Sequence, residues 1–208
     1  MKQKKNFIQC FFLLLFIVSM TQVFADLWEP AEIFVTYSEN KEYMLIVYPK
    51  VIPKDFYTNR YQRLLKKGVL KDNIQPCHAI LYHIRNIDTI TVWNKPLINV
   101  GSPVSAVVAN DGKSVVTFNE WGWLGLTHTV VIYGELGELI RDISLEEISP
   151  FPINQYHSSR SSIYWSGEGE NWKGKGKYLD NDRVEISFVN KDNELREKIV
   201  YVKNGAFE

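Results

Sequence analysis

From residue 33 onward, short runs of β-branched and aromatic residues alternate with short polar clusters. Residues 33–37 (IFVTY) are followed by Ser38-Glu39-Asn40-Lys41 and then by 43–48 (YMLIVY). Residues 104–108 are followed by Asn110-Asp111-Gly112-Lys113 and then by 115–118 (VVTF). Residues 184–189 are followed by Asn190-Lys191-Asp192-Asn193 and then by 195–202. Apolar runs of this length bounded by turn residues predict antiparallel hairpins. Asp111-Gly112 between two such runs predicts a tight type I′ turn, which needs positive φ at both central residues.

Further pairs lie between these hairpins: 78–84 (HAILYHI) with 89–93 (TITVW), and 129–133 (TVVIY) with 139–143 (LIRDI). Laid over one another, the pairs define a weak repeat of strand, polar turn, strand, insertion, strand, turn, strand. In the third unit we expect 184–202 to be the later pair and the earlier one to begin at 162–165 (SIYW). Helix is sparse. Residues 55–67 (DFYTNRYQRLLKK) place Tyr57, Tyr61, Leu64 and Leu65 near helical spacing, with Gly68 as a stop. Ser144-Leu145-Glu146-Glu147 has the capping-box form and predicts one short helical turn. Residues 167–176 (GEGENWKGKG) are glycine-rich without apolar period and read as a surface loop. The fold class expected is all-β: repeated antiparallel four-stranded meanders, propeller-like or a partial propeller, with a β-sandwich as alternative.

The first 25 residues are of different composition. Lys2, Lys4 and Lys5 precede an apolar run densest over 11–18 (FFLLLFIV), and Val23-Phe24-Ala25 ends the segment. This is the order of a signal peptide, so we expect cleavage after Ala25 and one all-β domain over 26–208, in the periplasm or the medium. The apolar run is shorter than the roughly 20 residues of a membrane span, so no stable anchor is expected after cleavage. Cleavage removes three lysines and no acid, leaving 21 basic against 24 acidic side chains, a formal charge of −3. A mildly acidic chain has no electrostatic footprint for nucleic acid. Cys10 leaves with the leader, so Cys77 has no disulfide partner within the chain and is expected to be a buried, inert thiol.

Residues 107–118 (VVANDGKSVVTF) with 130–145 (VVIYGELGELIRDISL) carry a resemblance. They are similar to a blade of the bacterial β-propeller repeat proteins of the TolB and YVTN kind, which share a strand–Asp-Gly-Lys–strand start and a later Val-Tyr-x-x-x-Gly-x-Leu hairpin. The resemblance covers about a quarter of the chain and implies a four-stranded blade; it implies nothing about ligand. The first unit matches more loosely, with Asn40 where glycine would be expected.

Asn119-Glu120-Trp121-Gly122-Trp123-Leu124-Gly125 with His128 offers flat apolar rings beside hydrogen-bonding groups. Such a set suits stacking on a sugar, so Glu120, Trp121, Trp123 and His128 are the candidate ligand-binding residues. The competing reading has the two rings filling the gap between sheets. His78 and His83 are five apart on one strand run, hence on opposite faces and unable to share a metal. No zinc spacing is present, Asp180-Asn181-Asp182 lacks the rest of a calcium loop and reads as a turn, and no metal or other cofactor is expected. Gly-x-Ser-x-Gly is absent. The serines after His157 (HSSRSS) lack a visible orienting acid. The sequence thus points to an exported binding protein with a protein or glycan partner. The alternative is a secreted hydrolase acting on envelope or extracellular glycan, with Glu120 or Asp111 and His128 as acid and base.

Overall fold

A computed structural model describes residues 31–51, 63, 66, 67, 75–86, 88–119, 126–158, 162–166 and 176–208. The leader expected over residues 1–25, most of the helix expected over 55–67 and the loop expected over 167–176, except Gly176, lie outside them; Arg63 and Lys66 are helical, and Lys67 N–H donates to Arg63 O at 3.1 Å. Among the described residues the chain is mostly β. Sheet 1 comprises β1 (Phe34–Tyr37), β2 (Tyr43–Tyr48), β3 (His78–Arg85) and β4 (Asp88–Pro96). Sheet 2 comprises β5 (Ser105–Val108), β6 (Val115–Phe118), β7 (Val130–Tyr133) and β8 (Leu139–Ile143). A short helix (Leu145–Ile148), a 3-10 turn (Ile153–Gln155) and a two-stranded sheet of β9 (His157–Ser158) and β10 (Ile163–Tyr164) follow. Sheet 3 comprises β11 (Gly176–Asp180), β12 (Arg183–Val189), β13 (Leu195–Tyr201) and β14 (Ala206–Phe207). Each of the three is an antiparallel meander with its strands side by side in chain order.

The third unit differs from expectation. The 184–202 hairpin forms the middle of sheet 3, whose first strand is β11 and whose last is the two-residue β14. Residues 163 and 164 pair instead with β9.

The sheets stack face to face, as strand alternation requires when successive side chains point to opposite faces. All four residues of β6 and of β7 are buried. Val115, Val131 and Tyr133 pack with Leu45, Val47, Ala79, Leu81 and Trp93 of sheet 1. Val116, Phe118, Val130 and Ile132 face the other way and pack with Val184, Ile186, Phe188 and Val200 of sheet 3. Trp165 sits in that second core between Phe118 and Phe188, ring centroids 6.4 and 5.2 Å away, and donates Nε1–H to the Asn119 carbonyl at 2.9 Å. Cys77 is buried beside the first core, and burial pushes its thiol up to about 12, as expected of an inert cysteine.

The same contacts recur from sheet to sheet. Strand β5 lies beside both β1 and β11, so the first strands are neighbours along one side of the stack. A Cβ at Gly137, in the β7–β8 turn, would lie 2.9 Å from Trp93 Cδ2 on β4. A Cβ at Gly205, in the β13–β14 turn, would collide with the Arg141 side chain on β8. Each third turn therefore rests on the last strand of the sheet before it. The first turns of sheets 1 and 2 are joined too: Asn40 N–H donates to Asn110 Oδ1 and Asn40 Nδ2 donates to the Asn110 carbonyl, both at 2.9 Å.

The turn at Asp111-Gly112 is not type I′. Positive φ occurs at Gly112 (+69°) and not at Asp111. Gly112 N–H donates to Ala109 O and Ala109 N–H to Ser114 O. The loop is an ordinary turn with a left-handed residue after it, a longer hairpin connection that also twists correctly. Sheet 1 repeats it with Lys41 at φ +60°, so the glycine position corresponds to Lys41 and not to Asn40.

Candidate functional site

Inter-sheet and middle connections leave the sheets at one end, while the first and third turns close the other. At the former end of sheet 2 lies a cleft of about 340 Å³ lined by Val100, Thr127, His128, Asp142, Ser144 and Glu147. Val100 comes from the β4–β5 connection, Thr127 and His128 from the β6–β7 connection, and Asp142 from β8. Ser144 caps the Leu145–Ile148 helix by accepting the Glu147 N–H at 3.3 Å, as the capping-box pattern predicts. The Glu147 carboxylate itself pairs with Arg141.

His128 and Asp142 are paired in the lining of this cleft. The His128 Nδ1 lies 2.8 Å from Asp142 Oδ2, with both side chains partly exposed. A carboxylate at Nδ1 selects the Nδ1–H tautomer and leaves Nε2 as the ring's remaining polar atom, an acceptor when neutral and a donor when charged. His128 also has φ +55°. Left-handed backbone is uncommon outside glycine and concentrates where the surrounding structure fixes a residue in place. Asn119 Nδ2, donating to the Thr127 carbonyl at 3.3 Å, ties the two ends of the β6–β7 connection together.

Of the four residues expected to bind ligand, His128 lines the cleft; Glu120, Trp121 and Trp123 lie outside the described residues. Asp111, considered as an acid for a hydrolase, sits in the β5–β6 turn at the opposite end of sheet 2, where its Oδ1 accepts the Lys113 N–H at 3.0 Å. His78 and His83 do occupy opposite faces, stacked on Tyr48 and Tyr43 respectively at 4.6 Å. Among the described residues no group of His, Cys, Asp and Glu is arranged to hold a metal. Asp180 ends β11 and the turn follows at Asn181-Asp182: Asp180 Oδ1 accepts the Asp182 N–H, and the Arg183 guanidinium on Oδ2 holds its carboxyl below the usual range.

Asp142, Ser144 and Glu147 were not foreseen as site residues. The available signal was the β7–β8 hairpin around Gly134 and Gly137, which folds Asp142 back toward the start of β7. A triad would need a hydroxyl bonded to the imidazole. Ser144 Oγ is engaged at the helix N-terminus, where it accepts the Glu147 N–H. The cleft can thus orient, accept from and donate to a polar ligand. Compared with protein-family models, with curated proteins and with solved structures, the chain matches none.

Proposed function

We propose that this chain is an exported all-β binding protein, built from blades of the TolB and YVTN kind, that holds a protein or glycan partner at the loop end of sheet 2. The observation that carries the reading is His128, in left-handed backbone and fixed by Asp142, lining a cleft formed by three separate connections. Loops positioned by a rigid scaffold are where recognition concentrates. A small number of placed polar groups in a concavity is the usual form of a ligand site. The leader pattern over residues 1–25 supports export, and the Trp121 and Trp123 pair in the same β6–β7 connection supports a ligand with flat apolar faces.

The test is a titration of the folded chain with envelope glycan fragments, followed by the His128 ring resonances and by calorimetry. His128→Asn keeps a residue that tolerates left-handed backbone while removing the imidazole. Binding is expected to weaken at least about tenfold in His128→Asn, about 1.4 kcal/mol. Ring resonances indifferent to every glycan and to proteins retained from the same compartment would overturn the reading. The secreted-hydrolase alternative is favoured by the histidine–aspartate pair itself. Turnover of a glycan that disappears in His128→Asn would replace binding with catalysis.

A further inference from the structure

The cleft at the loop end of sheet 2 is one-sided in its hydrogen-bonding groups. Five side chains give it polar atoms, Thr127, His128, Asp142, Ser144 and Glu147, beside the apolar Val100; among the described residues no Lys or Arg lines it. With Nδ1–H held by Asp142 Oδ2, the neutral His128 ring keeps Nε2 as an acceptor. Asp142 Oδ2 and Glu147 Oε1 are engaged by His128 and Arg141. Asp142 Oδ1 and Glu147 Oε2 have no partner among the described residues. Both carboxylate side chains are 36% exposed and thus open to a ligand.

Net charge does not decide what fits, because each carboxylate already has a basic neighbour, His128 for Asp142 and Arg141 for Glu147. The count of donors and acceptors does decide. An ammonium offers three donors and no acceptor, a hydroxyl one donor and two lone pairs, an acetamide one N–H with an acceptor carbonyl, and a carboxylate acceptors alone. Acceptors pressed on acceptors lose their hydration and gain no bond in return. The three acceptors of the cleft therefore rank these groups: ammonium first, hydroxyl and acetamide next, carboxylate last. Ser144 Oγ accepts the Glu147 N–H and retains its own O–H as a donor, and the Thr127 hydroxyl lines the same cleft. These two suit hydroxyls standing beside the amine on one ring. Val100, 41% exposed, adds an apolar wall for the C–H side of that ring.

We propose that the ligand of this cleft is an amino sugar, a glycan unit bearing a free primary ammonium. The ammonium is held by His128 Nε2, Asp142 Oδ1 and Glu147 Oε2, and the neighbouring hydroxyls by Thr127 and Ser144. This rests on the cleft being a ligand site and narrows its glycan partner to one class. Bonds from an ammonium to a carboxylate are charge-assisted, which sets them above those from a sugar hydroxyl. A lysine side chain ends in the same ammonium but brings no hydroxyl beside it, so Thr127 and Ser144 favour the sugar. N-acetylation of the same sugar removes two of the three donors and the charge without changing the ring, and it is the sharpest comparison available. A uronate carboxylate would set its oxygens against three acceptors. The cleft volume of about 340 Å³ is at the lower end for small-ligand sites, as suits one or two rings of a chain.

Calorimetry near neutral pH tests this on the exported chain with oligomers of glucosamine, of N-acetylglucosamine and of galacturonic acid, and with a lysine-rich peptide. Glucosamine oligomers are expected to bind at least about tenfold tighter than their N-acetylated counterparts, and galacturonate oligomers weakest. Asp142→Asn and Glu147→Gln each turn a free acceptor into a donor and are expected to erase that preference, with thermal midpoints reporting that both are folded. Glu146→Gln, exposed on the same helix and outside the lining, is expected to keep it. Addition of glucosamine oligomer is expected to move the His128 Nε2 resonance. Equal affinity for the free and the acetylated oligomers overturns the proposal and leaves the cleft a glycan site. If none of the oligomers binds, the reading of the cleft as a glycan site falls and the proposal with it. Tighter binding of the lysine-rich peptide overturns the proposal in favour of a basic protein segment. A preference that survives in both Asp142→Asn and Glu147→Gln overturns it as well.

Discussion

The two ends of the stack solve the same problem differently. Sheet 3 ends the molecule with a clean alternation: Val184, Ile186 and Phe188 point inward, and Glu185 and Ser187 point out. Lys177 and Glu185 pair across its outward face at 2.8 Å. Terminal units of a repeat stack need such a polar outer face to remain soluble. Sheet 1 puts Ile46 and Ile80 at equivalent outward positions. The difference teaches that end position in the chain does not by itself decide which face is wetted. The side chains at every second position do.

That contrast can be broken at graded points. The largest effect is expected inside sheet 3: Phe188→Ala removes a fully buried ring beside Trp165 and should cost about 3–5 kcal/mol in urea unfolding. A loss below about 1 kcal/mol would mean that sheet 3 is not packed on the common core. Next comes a matched pair of half-buried residues on the two outward faces, Ile80→Ser and Ile199→Ser. Ile80→Ser removes a half-buried side chain aligned with Ile46 and should lower the thermal midpoint by a few degrees. Ile199→Ser, opposite Glu185 on the polar outward face, should lower it by less. Smallest is Lys177→Met, which removes the exposed partner of half-buried Glu185 and should lower the midpoint only slightly. A large drop there would show that the polar face is held by its charges.

The hairpins of sheets 1 and 2 were legible because polar clusters such as Asn110-Asp111-Gly112-Lys113 separate β-branched runs, and both signals arise from local backbone preference. Strand β11 was hidden because Gly176-Lys177-Tyr178-Leu179-Asp180 begins in a glycine-rich stretch and offers few apolar residues. Its place depends on contacts from other sheets, such as Tyr178 Oη with Ser114 Oγ at 2.8 Å. His128 was legible as a polar residue beside an aromatic loop, but Asp142 was not. The β7–β8 register slips between Ile132 and Tyr133, where Leu139 and Arg141 oppose consecutive residues and Ile140 is extra. Counting back from the Gly137 turn therefore places Asp142 one residue off and on the wrong face.

The left-handed backbone at residue 128 acts as a filter on chemistry. Glycine, asparagine, aspartate and histidine enter that conformation most readily, and β-branched residues scarcely at all. Of those four, only histidine carries a ring with two nitrogens, one for Asp142 and one for the cleft. Exchange at this position thus has few routes open: an amide or a carboxylate would alter what the cleft recognises, and glycine would leave Asp142 facing solvent. The backbone at one residue thus bears on the chemistry of the whole cleft.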